Sequence, residues 1–349
     1  MASQPEIFHG PFSSLPVELR QAILCELPDI PALQAALEAD ASLQDAFSDA
    51  ESHILDSIIC HQIPVGLLPE AFALLASSRL DEDVQKILDS YLLRLPSYPI
   101  KWTLDEAQTL INTHELVSFF AEEFASSALR ISPVASQSPA PLSINERSRV
   151  MGGFYRFELY CIFTEYPGLE DLFLKRFAPW ENEQLASIYD YLFDRIISAS
   201  PFGDVSMNEI LSMGLGSLRQ LITVSTHQES YRLVSNIHYC LRGFLPQAVE
   251  KLCRSTDDNI TLSDYSEDMK RKHIDHPVLT DPDHGPRNAW YWTHADKYGN
   301  ESIFFPRHGG LRLGGYVMWD NSRLLQEWDM FNTPLSELER EGQEYPSNT

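Results

Sequence analysis

Apolar residues recur every three to four positions through most of the first 254 residues of this 349-residue chain. A repeat near 3.6 lines such residues along one side of a helix, whereas a half-buried strand needs a repeat of two. Leu15, Leu19 and Ile23 open the series, with Leu24 and Leu27 widening the stripe. Pro16 suits a first helical turn, where its missing N–H costs nothing, and Glu18 suits the positive helix end. Pro28 and Pro31 close that helix and start another, with Leu33, Ala36 and Leu37 on one face. Ser42 is placed to cap a third, whose stripe runs Leu43, Phe47, Ala50, Ile54 and Ile58. Three short helices are therefore expected over about 15–60.

The same spacing predicts helices over 69–78 and 82–95. Thr103 and Glu106 have the spacing of a capping box, in which each residue satisfies the other's free N–H. A helix from about 104 comes next, and then another carrying Leu116, Phe119, Phe120, Phe124 and Leu129. Residues 132–143 hold three prolines and four serines without periodicity, as a linker would. Beyond it, helices are expected at 145–166, 181–198, 207–223 and 229–254, the last kinked near Pro246. Gly152 and Gly153 interrupt the first of these, at about 1 kcal/mol each relative to Ala. From 255 to about 312 the helical spacing is lost. The fold is expected to be all-α, or mainly α with a little irregular strand near 303–305 and 316–319. Its expected order is a loose tail at 1–12, a three-helix module at 13–62, a helical segment at 63–131 and the linker. A helical body at 144–254 and an irregular, aromatic-rich region at 255–349 complete it. No repeat of fixed period links these parts.

Asp and Glu outnumber Lys and Arg by 50 to 26, a net charge of −24. Nucleic-acid binding draws on Lys and Arg to displace counterions, so no such partner is expected. The one dense basic run, Lys270, Arg271, Lys272 and His273, reads as a solvated loop or a nuclear-import patch. The five cysteines, Cys25, Cys60, Cys161, Cys240 and Cys253, form no CxxC pair and sit among apolar helical residues. That suits a reducing compartment. With no basic start followed by an apolar run, and no stretch near the ~20 residues needed to span a bilayer, cytoplasm or nucleus is the expected location, with no membrane partner.

Few residues suggest chemistry. Neither GxxxxGK[ST] nor GxGxxG occurs, and Gly214–Leu215–Gly216–Ser217 lacks the closing glycine of a nucleophile elbow. Cys161 lies in an apolar helix with no matching His motif and reads as a packed thiol. His273, Asp275, His276, Asp281, Asp283 and His284 offer imidazoles and carboxylates within a dozen residues. A divalent metal takes such ligands, but no HExxH-type spacing accompanies them, and an ordinary polar loop explains the same residues. Trp290, Trp292, Tyr316 and Trp319 read either as a groove for a target peptide or as core, since aromatics serve both ends. No catalytic residue, cofactor or metal is assigned.

The segment 15–47, LPVELRQAILCELPDIPALQAALEADASLQDAF, resembles an F-box in the order Leu15, Pro16, Glu18, Leu19, Ile23, Leu24, Leu27, Leu33, Leu37, Leu43 and Phe47. Glu38–Ala39–Asp40 stands where that family carries a Cys with Arg or Lys. No tryptophan follows, and residues 12–60 hold nine acidic side chains and one basic one. The remainder resembles a group of fungal F-box-like proteins in ERSRVMGGFYRFELYCIF (146–163), PWENEQL (179–185) and GYVMWDNSRL (315–324). The resemblance implies a three-helix module that docks on a Skp-type adaptor of a cullin ubiquitin ligase through the eleven residues just named. The body would then hold an unknown protein target without chemistry of its own. A module of about 45 residues buries too little to stand alone, because domains near ~40 residues need outside help. Its leucines must be covered by an adaptor or by the rest of the chain. A helical scaffold that recruits no ligase is the other reading, and a hydrolase or metal enzyme using the His/Asp loop is a third.

Overall fold

The computed structural model describes residues 11–78, 83–93, 103–131, 140–166, 168–199, 207–223, 260–275, 277–279, 281–296 and 309–341. Sixteen α-helices and two short 3-10 turns run through them, with no strand among the described residues, so the chain is all-α. The expected helix over 229–254, the strand near 303–305, most of the loose tail and residues 132–139 of the linker lie outside the described residues.

The first three helices are α1 (Val17–Cys25), α2 (Ile30–Ala39) and α3 (Ala41–Gln62). Asp29 caps α2 by accepting the Ala32 N–H at 2.7 Å, with Pro31 in the first turn. The cap of α3 is Asp40 and not Ser42: the Asp40 carboxylate accepts both the N–H and the hydroxyl of Ser42, at 2.9 and 2.7 Å. Ser42 is therefore the donor in this cap, inside the first turn. At Ala50 the backbone leaves helical geometry (φ −139°, ψ 28°), which bends α3 into two halves.

Helices α4 (Leu68–Ser77), α5 (Val84–Leu92) and α6 (Leu104–Ala128) come next. Thr103 and Glu106 close the capping box at the start of α6, each accepting the other's backbone N–H. The two helices expected over 104–129 are one of 25 residues. That stretch contains neither Gly nor Pro to break it. The next group is α7 (Ile144–Thr164), α8 (Leu169–Arg176), α9 (Pro179–Ala199), α10 (Met207–Leu211) and α11 (Gly214–Thr223). The single helix expected over 207–223 divides because Gly214 takes φ +77°, a left-handed turn that ends the run. A Cβ there would also lie 2.8 Å from the Glu158 carboxylate, which accepts the Leu215 N–H at 2.7 Å.

Five short helices occupy the region expected to be irregular: α12 (Glu267–His273), α13 (Gly285–Thr293), α14 (Gly309–Leu313), α15 (Asn321–Gln326) and α16 (Leu335–Glu341). Runs of five to nine residues make at most two or three turns, too few to display a repeat, and isolated helices that short are marginal in water. Neighbouring elements hold them. Residues 316–319, expected as strand, form turns.

Helix α7 is the axis of the body. It packs against α4, α6, α8, α9 and α11, and almost every residue from Arg149 to Phe163 is buried. At Gly153 a Cβ would stand 2.9 Å from Ile188 Cγ1 of α9, so the glycine marks where the two helices cross closely. Aromatic rings knit the body: Phe154 stacks on Phe120 (5.8 Å), and Phe124 stacks on Trp319 (6.5 Å). Helices α1 and α2 pack chiefly on α3, and α3 reaches the body through α6.

Candidate functional site

The first candidate place is the outer face of α1. Arg20 donates to the Ser42 carbonyl, and Gln21 Nε2 donates to the Ala46 carbonyl at 3.2 Å, fixing α1 along the first half of α3. Leu24 turns inward and is fully buried with Ile30, Leu33, Leu43 and Ala46, while Phe47 is 8% exposed. The opposite side presents Leu19, 52% exposed, and Ile23, 37% exposed, one turn apart, with Ala22 and Glu26 beside them. Pro16 and Glu18 are exposed as well, whereas Leu15, Leu27 and Leu37 are half-buried.

The eleven F-box-like positions therefore divide. Leu24, Leu33, Leu43 and Phe47 form the module's own core and cannot meet a partner's surface without unfolding it. Leu19 and Ile23 can. A 3.6-residue repeat marks one side of a helix, but a stripe as wide as Leu15–Leu19–Ile23 plus Leu24–Leu27 spans two directions, and the sequence does not say which neighbour takes each.

The second place is a cavity of about 880 Å³ between the starts of α7 and α9, the 3-10 turn at Val65–Leu67 and the loops flanking α12 and α13. Its floor is α7, where Asn145, Ser148, Arg149, Gly152 and Arg156 share one side at intervals of three and four. Arg149 donates to both oxygens of Asp281, to Asp320 and to the Met318 carbonyl at 3.0 Å. Arg156 donates to the Glu181 carbonyl and to Gln184 Oε1 at 2.6 and 2.7 Å. The Glu181 carboxylate accepts N–H groups of Ala178, Val278 and Leu279 at 2.7, 3.1 and 2.6 Å. Burial still pushes its carboxyl above the ordinary range.

The His/Asp loop lies on this cavity's edge, and its carboxylates are committed. Asp281 pairs with Arg149, and Asp275 pairs with Arg287 at 2.8 Å. Asp283 Oδ1 accepts the N–H of Gly285 and of Asn321 at 2.7 and 2.8 Å. His284 is exposed, while His276 and the His273 side chain lie outside the described residues. Among the described residues no three His, Cys, Asp or Glu side chains gather as metal ligands would. The basic run beside it is helical rather than looped. Within α12, Lys270 pairs with Glu267 and Arg271 with Asp268, at 2.7 and 2.8 Å.

The aromatic groove is not formed. Trp290, Tyr316 and Trp319 are fully buried, and only Trp292 is half-buried, set edge-on to Phe331. Trp319 donates to the Gly314 carbonyl at 2.8 Å, and Tyr316 donates to Glu183 at 2.9 Å. Burial with satisfied polar tips makes Tyr316 and Trp319 core, and Trp290 is core by burial alone, its indole N–H meeting no acceptor among the described residues. Cys161 is likewise buried, its thiol 3.7 Å from the Leu211 carbonyl; Cys25 and Cys60 are free, and Cys240 and Cys253 lie outside the described residues.

Sequence reasoning missed the ion pairs that bind the C-terminal helices to α7 and α9. Glu146 accepts a forked pair of bonds from Arg323, 2.8 and 2.9 Å, and also the Ser143 and Asp320 N–H groups. Glu183 accepts a fork from Arg312 at 2.8 and 3.0 Å, with Asp190 3.4 Å away on the same guanidinium. A readable signal existed for one of them. Ser143-x-x-Glu146 has the same cap spacing as Thr103-x-x-Glu106, and it marks Glu146 as a carboxylate held in a fixed place. No family model, no curated protein and no solved structure matches the chain.

Proposed function

We propose that this chain is an F-box-type substrate receptor. Residues 13–62 would dock on a Skp-type adaptor, and through it on a cullin ubiquitin ligase, while the body holds a protein target. The observation that carries the reading is the exposed Leu19–Ile23 pair on a module whose core is closed by Leu24, Leu33, Leu43 and Phe47. Two large apolar side chains one turn apart on an outward helix face form the kind of patch that marks an interaction site. The Leu-Pro-x-Glu-Leu opening of the F-box resemblance leads into the same helix, with Pro16 at its N-cap. The receptor would do no bond chemistry. It would raise the effective concentration of a target lysine near the conjugating enzyme, which depends on geometry and not on a catalytic group.

Capture of the full chain by a purified Skp-type adaptor tests this. Wild type is expected to be retained, and Leu19→Asp/Ile23→Asp is expected to lose retention at least tenfold with its helical circular dichroism unchanged. A helical scaffold without a ligase is the reading left standing if wild type is not retained, or if the double variant is retained equally.

A further inference from the structure

The cavity between α7 and α12–α13 has a volume of about 880 Å³, within the range of ligand sites, roughly 300–1,000 Å³. Its polar groups fall into two sets. The charged ones are already matched: Arg149 with Asp281, Arg287 with Asp275, Arg271 with Asp268. Four arginines and five carboxylates line it in all, and each of the arginines already donates within the protein, Arg156 to the Glu181 carbonyl and Gln184 Oε1. Displacing one partner of a buried, hydrogen-bonded pair costs more than a new contact returns.

The second set is neutral and unspent. The side chains of Asn145 and Ser148, half-buried and one turn apart on the α7 floor, make no hydrogen bond with any described residue, and neither does His284 at the opposite rim. Asn288 uses its amide N–H on Asn321 and keeps its carbonyl oxygen's capacity. An Asn side chain carries the same donor and acceptor as a peptide unit, so a wall of this kind pairs with main-chain amides. Between these groups stand Val65, Leu67, Trp180 and Leu279, which offer apolar contact to a side chain. Gly152 keeps the middle of the floor low, with only Leu67 within reach of a Cβ there.

We infer that this cavity binds a short segment of polypeptide, recognised through its uncharged main-chain amides and one apolar side chain. The inference extends the receptor reading by assigning the place where a target is held, and it stands on residues separate from α1.

Saturation-transfer NMR on the full chain tests it with acetyl-trialanine amide and acetyl-leucine amide as probes, and with glucose, citrate and spermidine as alternatives. Both capped peptides are expected to receive saturation, and Asn145→Leu/Ser148→Leu to reduce it at least fivefold. Neither side chain has an internal bond to lose, so the thermal midpoint should stay within a few degrees of wild type, and a variant that unfolds is replaced by Asn145→Ala/Ser148→Ala. The inference is overturned by no transfer to either peptide, by equal transfer to glucose, citrate or spermidine, or by transfer that the substitutions leave unchanged. Adaptor capture measured on the same variant should match wild type. Wild type that captures the adaptor but receives no peptide therefore counts against the cavity, and wild type that binds the peptides but captures no adaptor counts against α1.

Discussion

The two ends of this molecule are attached by different physics. At the amino end, α1 and α2 rest on α3 through leucines and two side-chain bonds to carbonyls, and one face of α1 is left facing water. At the carboxyl end, α14 and α15 are fastened to α9 and α7 by guanidinium–carboxylate forks buried to 5% exposure or less. Apolar contact is non-directional and tolerates a second chain on its open side. A forked ion pair admits one geometry, and removing one partner is far more damaging than never having had the pair. The difference suits a molecule that lends out one face and keeps the other end in a fixed place.

The contrast can be broken most severely at Arg312. Arg312→Ala strands the Glu183 carboxylate, 0% exposed, and is expected to cost about 3–5 kcal/mol in urea unfolding. The double variant Glu183→Gln/Arg312→Met should recover much of that loss; if it is as unstable as the single variant, the fork is not what fastens α14. Leu24→Ala empties the module's core and is expected to cost about 2–4 kcal/mol. Its effect should be concentrated in faster hydrogen exchange over α1–α3, with α7 and α9 little changed. Uniform loss across the chain would mean the module is not a separable layer.

Asp190 sharpens the comparison through pH. Burial, set against the nearby Arg312, raises its carboxyl to about 6. The folded state therefore holds the Asp190 proton more tightly than the unfolded chain does, where a carboxyl titrates near 3.9. The associated stability is fully present below about pH 4 and is lost as pH rises through about 6. Asp190→Asn should flatten that part of the stability curve, by roughly 1–2 kcal/mol; an unchanged slope between pH 4 and 7 would contradict it. The smallest effect belongs to Leu19→Asp, expected to alter stability by no more than about 0.5 kcal/mol because the side chain is half in water. A larger loss would mean that α1 is less open than its exposure indicates.

Legibility in the sequence tracks the distance between interacting residues. Local devices can be read directly: Pro31 in the first turn of α2, the Thr103–Glu106 box, the long apolar faces of α7 and α9. Features that depend on a remote neighbour cannot. Glu146 and Arg323 lie 177 positions apart, and nothing near either residue names the other. The wide leucine stripe of α1 is visible, yet its division into an inward Leu24 and an outward Leu19 is decided by α3. The aromatic cluster at 290–319 reads as groove or core with equal chemistry, and the partner carbonyls and carboxylates of the body decide for core. The His/Asp loop looks like a ligand set because Arg149, which takes up Asp281, sits 132 positions away.

The bend at Ala50 has a mechanical meaning. The half of α3 before it carries α1, and the half after it carries Ile54, Leu55, Ile58 and Ile59 in the interior. Each residue added to a helix rotates the chain beyond it by about 100°. A single insertion at that elbow would re-aim the outward Leu19 and Ile23 relative to the cavity while leaving both half-helices whole. The aim of one end toward the other thus depends on this joint and on the Gln62 side chain, which donates across it to the Pro28 carbonyl at 3.3 Å.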